Sequence, residues 1–440
     1  MKLHPLARGL ACGALSLLAA CSDAQSPAGT AASSRASQAP ADATRPAAQA
    51  ADAAKPASAA PAAPAVKELA EFQAELLDVA FTAASKMPTM PHIKNRCRAQ
   101  EEVVDACLQL DQPRIALGYA EKIDNWRKGV AYGDVATWYA QHDRSVDVQP
   151  WLDLARKISE RSDDEDAQDW QRDRIRASIA RTLILLGEGA RANEFAEGLA
   201  DSEAGRVQSA RAQVIDEAAF DQQLADVDAI VKAEGFDQVR SALEACAQLY
   251  DRFYADADRR ERAEEKIKAS WAKLPPDVRV QLLATLSESA LDHDDRAKAA
   301  ALAGEARAII EASRWTPDLR IRTLARVAAL LHRAGDVAQA RKEADAAQAT
   351  YDAERETIVN IDRADTLRPL AEARQAMGDT AGALAVYKRA IEEGVENVNS
   401  RPRADDLVAT CCSMATHGVE PDKALRARIL KIRDGLGDPW

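Results

Sequence analysis

The sequence is poor in the residues that build bulky cores or bind nucleic acid. Aromatic residues make up only 5% of the 440 residues, and alanine, which favours helices, supplies much of the apolar content. We therefore expect a thin, extended, all-helical core. The formal net charge is −12, whereas a phosphate backbone would attract clustered lysine and arginine. A nucleic-acid partner is therefore not expected.

Motifs of catalysis and metal binding are also absent. The sequence contains no HExxH, GxSxG, GxxxxGK[ST] or paired CxxC motif. An SxxK pattern at 270–273 lies in a polar helix, and we interpret it as chance. The acidic run at 163–166 lacks the glycine and the distant glutamate of a calcium loop, so we interpret it as a solvated helix cap. We therefore expect a protein that is not an enzyme and that holds no cofactor or metal.

The N-terminal 20 residues are typical of a secretory signal. Lys2 and Arg8 precede a short apolar stretch that cannot span a bilayer. The sequence Leu18-Ala19-Ala20-Cys21 resembles the bacterial lipobox. This resemblance implies a lipoprotein signal peptide at 1–20, acylation of Cys21, and anchoring in a membrane of the cell envelope facing the periplasm. Ser22 favours the outer membrane. The alternative is an ordinary secretory signal with a chance cysteine.

Residues 21–65 form a low-complexity segment of mostly alanine, proline, serine and threonine. The first large apolar residue after Cys21 is Val66. Such a composition cannot bury enough apolar surface to offset the entropy of ordering. We expect a disordered tether with a reach of roughly 35 to 50 Å, enough to lift a domain away from lipid head groups.

From Val66 onward the sequence predicts helices that recur as a unit. Two units are clearest, and each has apolar residues at i, i+3, i+4 on a first helix, a Gly-Asp turn, and small residues on a second helix. Their positions are Leu324, Val327, Ala328, Leu331, Gly335, Asp336, Ala340, Ala344 and Ala347, then Leu367, Leu370, Ala371, Gly378, Asp379, Ala383, Tyr387 and Ala390. A repeat of about 40 residues predicts stacked helix pairs, because one pair alone cannot bury its apolar stripe. The unit is blurred at 202–273, where we expect irregular or longer helices.

The recurring unit resembles the tetratricopeptide repeat, although its period is longer and the usual tryptophan is missing. We expect the fold class to be all-α, an α-solenoid of roughly eight or nine helix pairs spanning 66–435. The resemblance implies a right-handed superhelix. It also implies a concave groove, lined by the first helix of each pair, that holds a peptide or a partner protein.

Candidate partner-binding residues are those on first helices that lie off the packing stripe. They are Arg181, Gln281, Glu288, Arg322, His332, Arg368, Glu372 and Gln375. Their mixed polarity suits a peptide backbone or acidic side chains better than an apolar ligand. The alternative is a solvated face without a partner. Trp138 and Trp151 are further candidate contacts, whereas Tyr132 and Tyr139 fit the apolar stripe and belong to the core.

The cysteines and histidines give weaker signals. Of seven cysteines, five remain if Cys12 is cleaved away and Cys21 is acylated. In an oxidising periplasm an odd number leaves at least one without an intramolecular partner. Cys97 and Cys107 are too far apart on one helix for a disulfide. Histidines near the ends of first helices are interpreted as caps for carbonyl groups.

Three functional hypotheses follow. The first is a non-catalytic scaffold or adaptor lipoprotein that binds an envelope protein or peptide in a solenoid groove. The second is an envelope enzyme or small-ligand receptor with a site near 202–273, which a deep pocket there would favour. The third is a structural spacer. The partner and the oligomeric state stay open.

Overall fold

A computed structural model describes residues 68–161, 168–233 and 235–440. The predicted signal peptide at 1–20, Cys21, the tether at 21–65 and the acidic run at 163–166 lie outside these residues. Within them the regular elements are helices, as the fold class predicted. They are α1 (Glu71–Lys86), α2 (Thr89–Gln109), α3 (Pro113–Ala120), α4 (Arg127–His142), α5 (Gln149–Ser159), α6 (Asp169–Leu185), α7 (Gly189–Ala196), α8 (Asp201–Val214), α9 (Phe220–Ala233), α10 (Phe236–Arg252), α11 (Ala257–Ser270), α12 (Pro276–Asp292), α13 (Arg296–Ala312), α14 (Pro317–Ala334), α15 (Val337–Glu354), α16 (Asn360–Ala376), α17 (Thr380–Val395), α18 (Ser400–Thr416) and α19 (Lys423–Asp434).

The Gly-Asp turns between paired helices have a defined conformation. Gly335 ends α14 with a φ of 101°, a left-handed conformation that glycine adopts without a steric penalty. The carboxylate of Asp336 then accepts a hydrogen bond from the backbone N–H of Gln339, at 3.1 Å, and caps α15. Gly378 and Asp379 repeat the arrangement between α16 and α17. Two residues therefore end one helix and begin the next.

The helices form two layers. Each even-numbered helix from α2 to α18 contacts the next even-numbered helix, and most pack against the helix that follows them in sequence. We call the even-numbered helices the first helices and their odd-numbered partners the second helices. Neighbouring second helices scarcely touch one another, so they lie at a larger radius. The first helices therefore form the inner layer, and the stacked helix pairs confirm the predicted repeat fold.

The array closes on itself. Helix α18 packs against α2, and α1 packs against both of them. Helix α1 therefore acts as the second helix of α18, since a second helix contacts its own first helix and the next one. The amide of Gln73 on α1 donates to the carbonyl of Ala415 on α18, at 2.7 Å. Helix α19 lies across α17, α18 and α1, where Arg426 donates to Glu75 at 2.8 Å. The resemblance implied a right-handed superhelix with a concave groove. In the described array the two ends also cover each other's apolar faces.

Small residues let the first helices approach closely. A Cβ atom at Gly133 on α4 would lie 2.1 Å from Oγ of Ser178 on α6, so only glycine fits there. The hydroxyls of Thr137 and Thr182 meet across the same contact at 2.9 Å. Buried alanines recur along the core in every part of the array. The thin, alanine-rich core agrees with the composition.

Region 202–273 contains regular helices with irregular packing. Helix α9 packs against α10 and α11 instead of against α8. The first helix α8 therefore does not form a pair with the helix that follows it in sequence. This shift explains why the repeat unit is blurred in the sequence. In the described part of the chain, no helix combines the length and the apolar character needed to cross a membrane.

Candidate partner-binding surface

The inner faces of the first helices form a polar surface. On α14, Asp318, Arg322 and Arg326 follow one another at four-residue spacing and are half-buried, whereas Leu324 and Val327 on another side of the helix are buried in the core. The other first helices show the same division. We call the half-buried polar side the interior surface.

An arginine sector occupies the interior surface of α4, α6 and α8. It consists of Arg127 on α4, Arg174 and Arg181 on α6, and Arg206 on α8. The side chains of Arg174 and Arg181 are 27% and 28% exposed, and that of Arg206 is 48% exposed. Solvent, and hence a ligand, can reach these three side chains, whereas that of Arg127 is 13% exposed.

The arginine sector contains fewer carboxylates than arginines. Arg181 lies 3.6 Å from Asp134, and Arg206 lies 3.3 Å from Glu203. Arg127 and Arg174 both face Glu101. Four guanidinium groups thus share three carboxylates.

Burial raises the pKa of Asp134, and the nearby Arg181, Arg174 and Arg206 act in the opposite direction. The positive charge of each of these three arginines lowers the pKa of Asp134, so all three lie near this one carboxylate. Burial also raises the pKa of Glu101, against the opposing charges of Arg127 and Arg174. The sector keeps an excess of positive charge in a partly desolvated place, which is the electrostatic requirement for binding an anionic group.

Aromatic rings flank the arginine sector. The guanidinium groups of Arg127 and Arg174 lie 4.7 Å and 5.9 Å from the centre of the Trp126 ring, in the range of cation–π contacts. Trp138 is partly buried one turn beyond Asp134 and stacks on His142 with ring centres 4.3 Å apart. The candidate contact Trp138 therefore lies beside this sector.

The other aromatic predictions fall in different places. Trp151 on the second helix α5 stacks on Tyr139, with ring centres 5.3 Å apart, and so lies away from the interior surface. Tyr132 and Tyr139 are buried, in agreement with their assignment to the core. The imidazole of His142 contacts the carbonyl of Trp138 at 2.8 Å, as a helix cap does.

A carboxylate sector occupies the interior surface where the array closes. It consists of Glu102 on α2, Asp362 and Asp365 on α16, and Asp405 and Asp406 on α18. Burial raises the pKa of Glu102 to about 7 and that of Asp406 to about 7.

Four arginines pair with these five carboxylates. Arg98 and Arg401 lie 3.7 Å and 3.2 Å from Asp405. Arg368 lies 3.7 Å from Asp406, and Arg322 pairs with Asp365. The interior surface is therefore divided into sectors of opposite character, arginine-rich at α4 to α8 and carboxylate-rich at α16, α18 and α2.

The charged candidates from the sequence lie on first helices, and most are paired. Arg181 belongs to the arginine sector. Arg322 forms ion pairs with Asp318, at 2.8 Å, and with Asp365. Arg368 is buried between Asp365 and Asp406. These pairs join neighbouring first helices and leave little charge for a partner.

The remaining candidates are spread along the array. Glu288 accepts from Arg326 at 3.0 Å, and Glu372 accepts from the hydroxyl of Ser413 at 2.6 Å. Gln281 and His332 are half-buried on α12 and α14. Gln375 has a buried Oε1 atom without a hydrogen bond among the described residues.

Sequence reasoning missed Arg127, Arg174 and Arg206. Arg174 and Arg181 are seven residues apart, two helical turns, and therefore share one face of α6. That spacing was a usable signal. The convergence of α4 and α8 on this face depends on packing and left no local signal in the sequence.

Two further features concern the alternatives. A cavity in the described part of the chain lies between the segment before α4, the end of α5 and the start of α6, outside region 202–273. The described part of the chain contains five cysteines, all buried and free of disulfide bonds. They are Cys97, Cys107, Cys246, Cys411 and Cys412. Burial raises the pKa of the thiols of Cys107, Cys246 and Cys411 to about 12, so they are not poised as nucleophiles.

Comparison with known proteins gives little. No family model and no curated protein matches the sequence. A solved structure described as a circular tandem repeat protein with novel repeat topology and enhanced subunit contact surfaces is 14% identical. The match covers 82% of this chain and 94% of the other, with a TM-score of 0.19. This similarity is too low to support an inference about function.

Proposed function

We propose that this protein is a non-catalytic scaffold or adaptor of the bacterial cell envelope, anchored by a lipid on Cys21, that holds an acidic segment of a partner protein against the arginine sector. The observation that carries the proposal is the excess of arginine on three consecutive first helices. The lipid anchor, the tether and the periplasmic location rest on the lipobox-like sequence and the composition of residues 21–65.

The arginine sector supports an acidic partner for two reasons. Guanidinium groups bind carboxylates in two-pronged geometry, and such hydrogen bonds are stronger when water is partly excluded. Arg174 and Arg181 are about one quarter exposed, so they are accessible and partly desolvated. Trp138 beside them supplies a flat surface for an apolar side chain of the same segment.

The peptide test uses the chain without residues 1–20 and fluorescent peptides of equal length, one rich in glutamate and one rich in lysine. We expect the acidic peptide to bind more tightly, with an affinity that falls as salt rises. Arg181→Glu should weaken binding at least tenfold, measured by fluorescence anisotropy. Arg191→Glu is the matched control, because Arg191 lies on the second helix α7 and is 46% exposed. Preference for the basic peptide, or equal binding by Arg181→Glu, would contradict the proposal.

The anchor is tested separately. In cells that process lipoproteins, the wild-type chain should incorporate labelled fatty acid and sediment with membranes. Cys21→Ala should lose the label and appear in the soluble fraction. A wild-type chain that carries no lipid would refute the anchor and leave the peptide-binding proposal intact, since the two rest on different residues.

A further inference from the structure

A cavity on the wall of the array is separate from the arginine sector. It lies between the segment before α4, the end of α5 and the start of α6, and its volume is about 140 Å³. We call it the α4–α6 cavity.

One side of the α4–α6 cavity carries polar groups that lack partners. Gln171 is only 7% exposed, yet its side-chain amide has no hydrogen bond among the described residues. The ammonium group of Lys128 likewise has no hydrogen bond or ion pair there. The Nε atom of Arg172 is buried without a partner. The Gln171 amide and the Lys128 ammonium group are therefore free to donate hydrogen bonds to a ligand in the cavity.

The opposite side of the cavity is apolar. Ile123 and Ile175 are buried, and Ile158 and Trp126 are partly buried against the core. A cavity of about 150 Å³ lined by aliphatic residues holds benzene, so the α4–α6 cavity matches a ring or a short branched chain in size. Asp124 is the lining carboxylate, and it forms an ion pair with Arg96 at 3.6 Å, so its charge is partly balanced.

We propose that the α4–α6 cavity binds a small organic monoanion, with a carboxylate on an aromatic ring or a branched apolar body. The carboxylate would accept hydrogen bonds from Lys128, Arg172 and the Gln171 amide. The apolar body would pack against the three isoleucines and the ring of Trp126. The groups that bind the carboxylate, Lys128, Arg172 and Gln171, are not part of the arginine sector, although the Trp126 ring borders both sites.

The test uses calorimetric titration of the chain lacking residues 1–20 with benzoate, isovalerate, neutral benzamide and inorganic phosphate. We expect benzoate or isovalerate to bind at least tenfold more tightly than benzamide. Lys128→Ala and Gln171→Leu should each weaken that binding at least fivefold. Lys157→Ala is the matched control, because Lys157 is an exposed lysine of α5 outside the cavity lining.

Each alternative outcome has a defined meaning. Equal binding of benzamide and benzoate would overturn the role of charge, and binding of phosphate alone would overturn the apolar body. Absence of binding by all four probes would overturn the site. Far-ultraviolet circular dichroism checks that the variants fold. Arg181→Glu should leave carboxylate binding unchanged, so failure of this proposal is distinguishable from failure of the peptide-binding surface.

Discussion

The pairs from α12 to α17 and the closing pair of α18 with α1 differ in where their helices come from. In α12 to α17 each second helix follows its first helix after a turn of a few residues. In the closing pair, α18 is covered by a helix from the other end of the described chain, more than 300 residues away, as the hydrogen bond between Gln73 and Ala415 records. The same kind of apolar contact is therefore made locally in one region and at long range in the other.

This difference shows how the array avoids exposed ends. A linear repeat array needs polar capping repeats, because its terminal helices have no neighbour. Here α1 covers the apolar residues of α18, which include the buried Cys411, Met414 and Ala415. Closure at such sequence separation carries a larger entropic cost than a short turn, so the closing pair is where we expect the array to open first.

The largest expected effect comes from matched cavity mutations in the two regions. Leu77 on α1 is 1% exposed, and Leu324 on α14 is 3% exposed. Replacing either with alanine should cost about 2 to 5 kcal/mol of unfolding free energy. In Leu77→Ala, hydrogen exchange should accelerate in α1 and α18 and stay slow in α12 to α17. If both variants lose protection equally across the array, the closing pair is not a separate unit of opening.

Two glycine substitutions should have opposite signs. A Cβ atom at Gly394 on α17 would lie 2.9 Å from Cβ of Asp406 on α18, whereas Gly304 on α13 has nothing within 4 Å. Gly394→Ala should destabilise by about 1 to 3 kcal/mol, because it pushes α17 from the closing pair. Gly304→Ala should stabilise by about 0.5 to 1 kcal/mol, since alanine favours the helix. Denaturant unfolding measures both, and a neutral Gly394→Ala would show that this contact is loose.

The contact between α2 and α18, which also closes the array, should respond to pH. Burial raises the pKa of Glu102 from its ordinary value of 4.5 to about 7, among Arg368, Asp405, Arg98 and Asp365. The folded state therefore binds a proton more tightly than the unfolded state, and stability falls as pH rises from about 4.5 to about 7.

Thermal unfolding of the wild type and of Glu102→Gln measures this effect. The difference in melting temperature between pH 5 and pH 8 should be smaller in the variant, because glutamine does not titrate. Glu288→Gln on α12 is the control, since it removes a half-buried interior carboxylate outside the closing pair. If both variants reduce the difference in melting temperature between pH 5 and pH 8 equally, Glu102 is not the source of the pH dependence.

The smallest effects concern helix caps. Asp336 caps α15 with its carboxylate, so Asp336→Ala should cost about 1 kcal/mol. Ala70 stands at the start of α1 without a side-chain cap, so Ala70→Asp should stabilise the closing pair by about 0.5 to 1 kcal/mol. Chemical unfolding of the two variants measures both changes. A destabilising Ala70→Asp would mean that the start of α1 cannot take up the capping conformation.

Part of the candidate surface could be predicted from the sequence. Arg181 was assigned to it because it lies off the apolar stripe of its helix, and the structure places it among the arginines. Arg322 and Arg368 met the same criterion, yet they pair with Asp365 and Asp406. Spacing within a helix determines the face that a residue occupies, but the neighbouring helix determines whether its charge is paired.

The sequence by itself determined the helices, their turns and their pairing in α12 to α17, because apolar periodicity, left-handed glycines and capping aspartates act over a few residues. Only the tertiary structure decided that α1 completes the pair of α18, that three first helices bring their arginines together, and that Gln171 and Lys128 line a cavity. These features depend on contacts between residues far apart in the chain. The periodicity of α1 shows that it needs an apolar partner, but it contains no information about which helix supplies it.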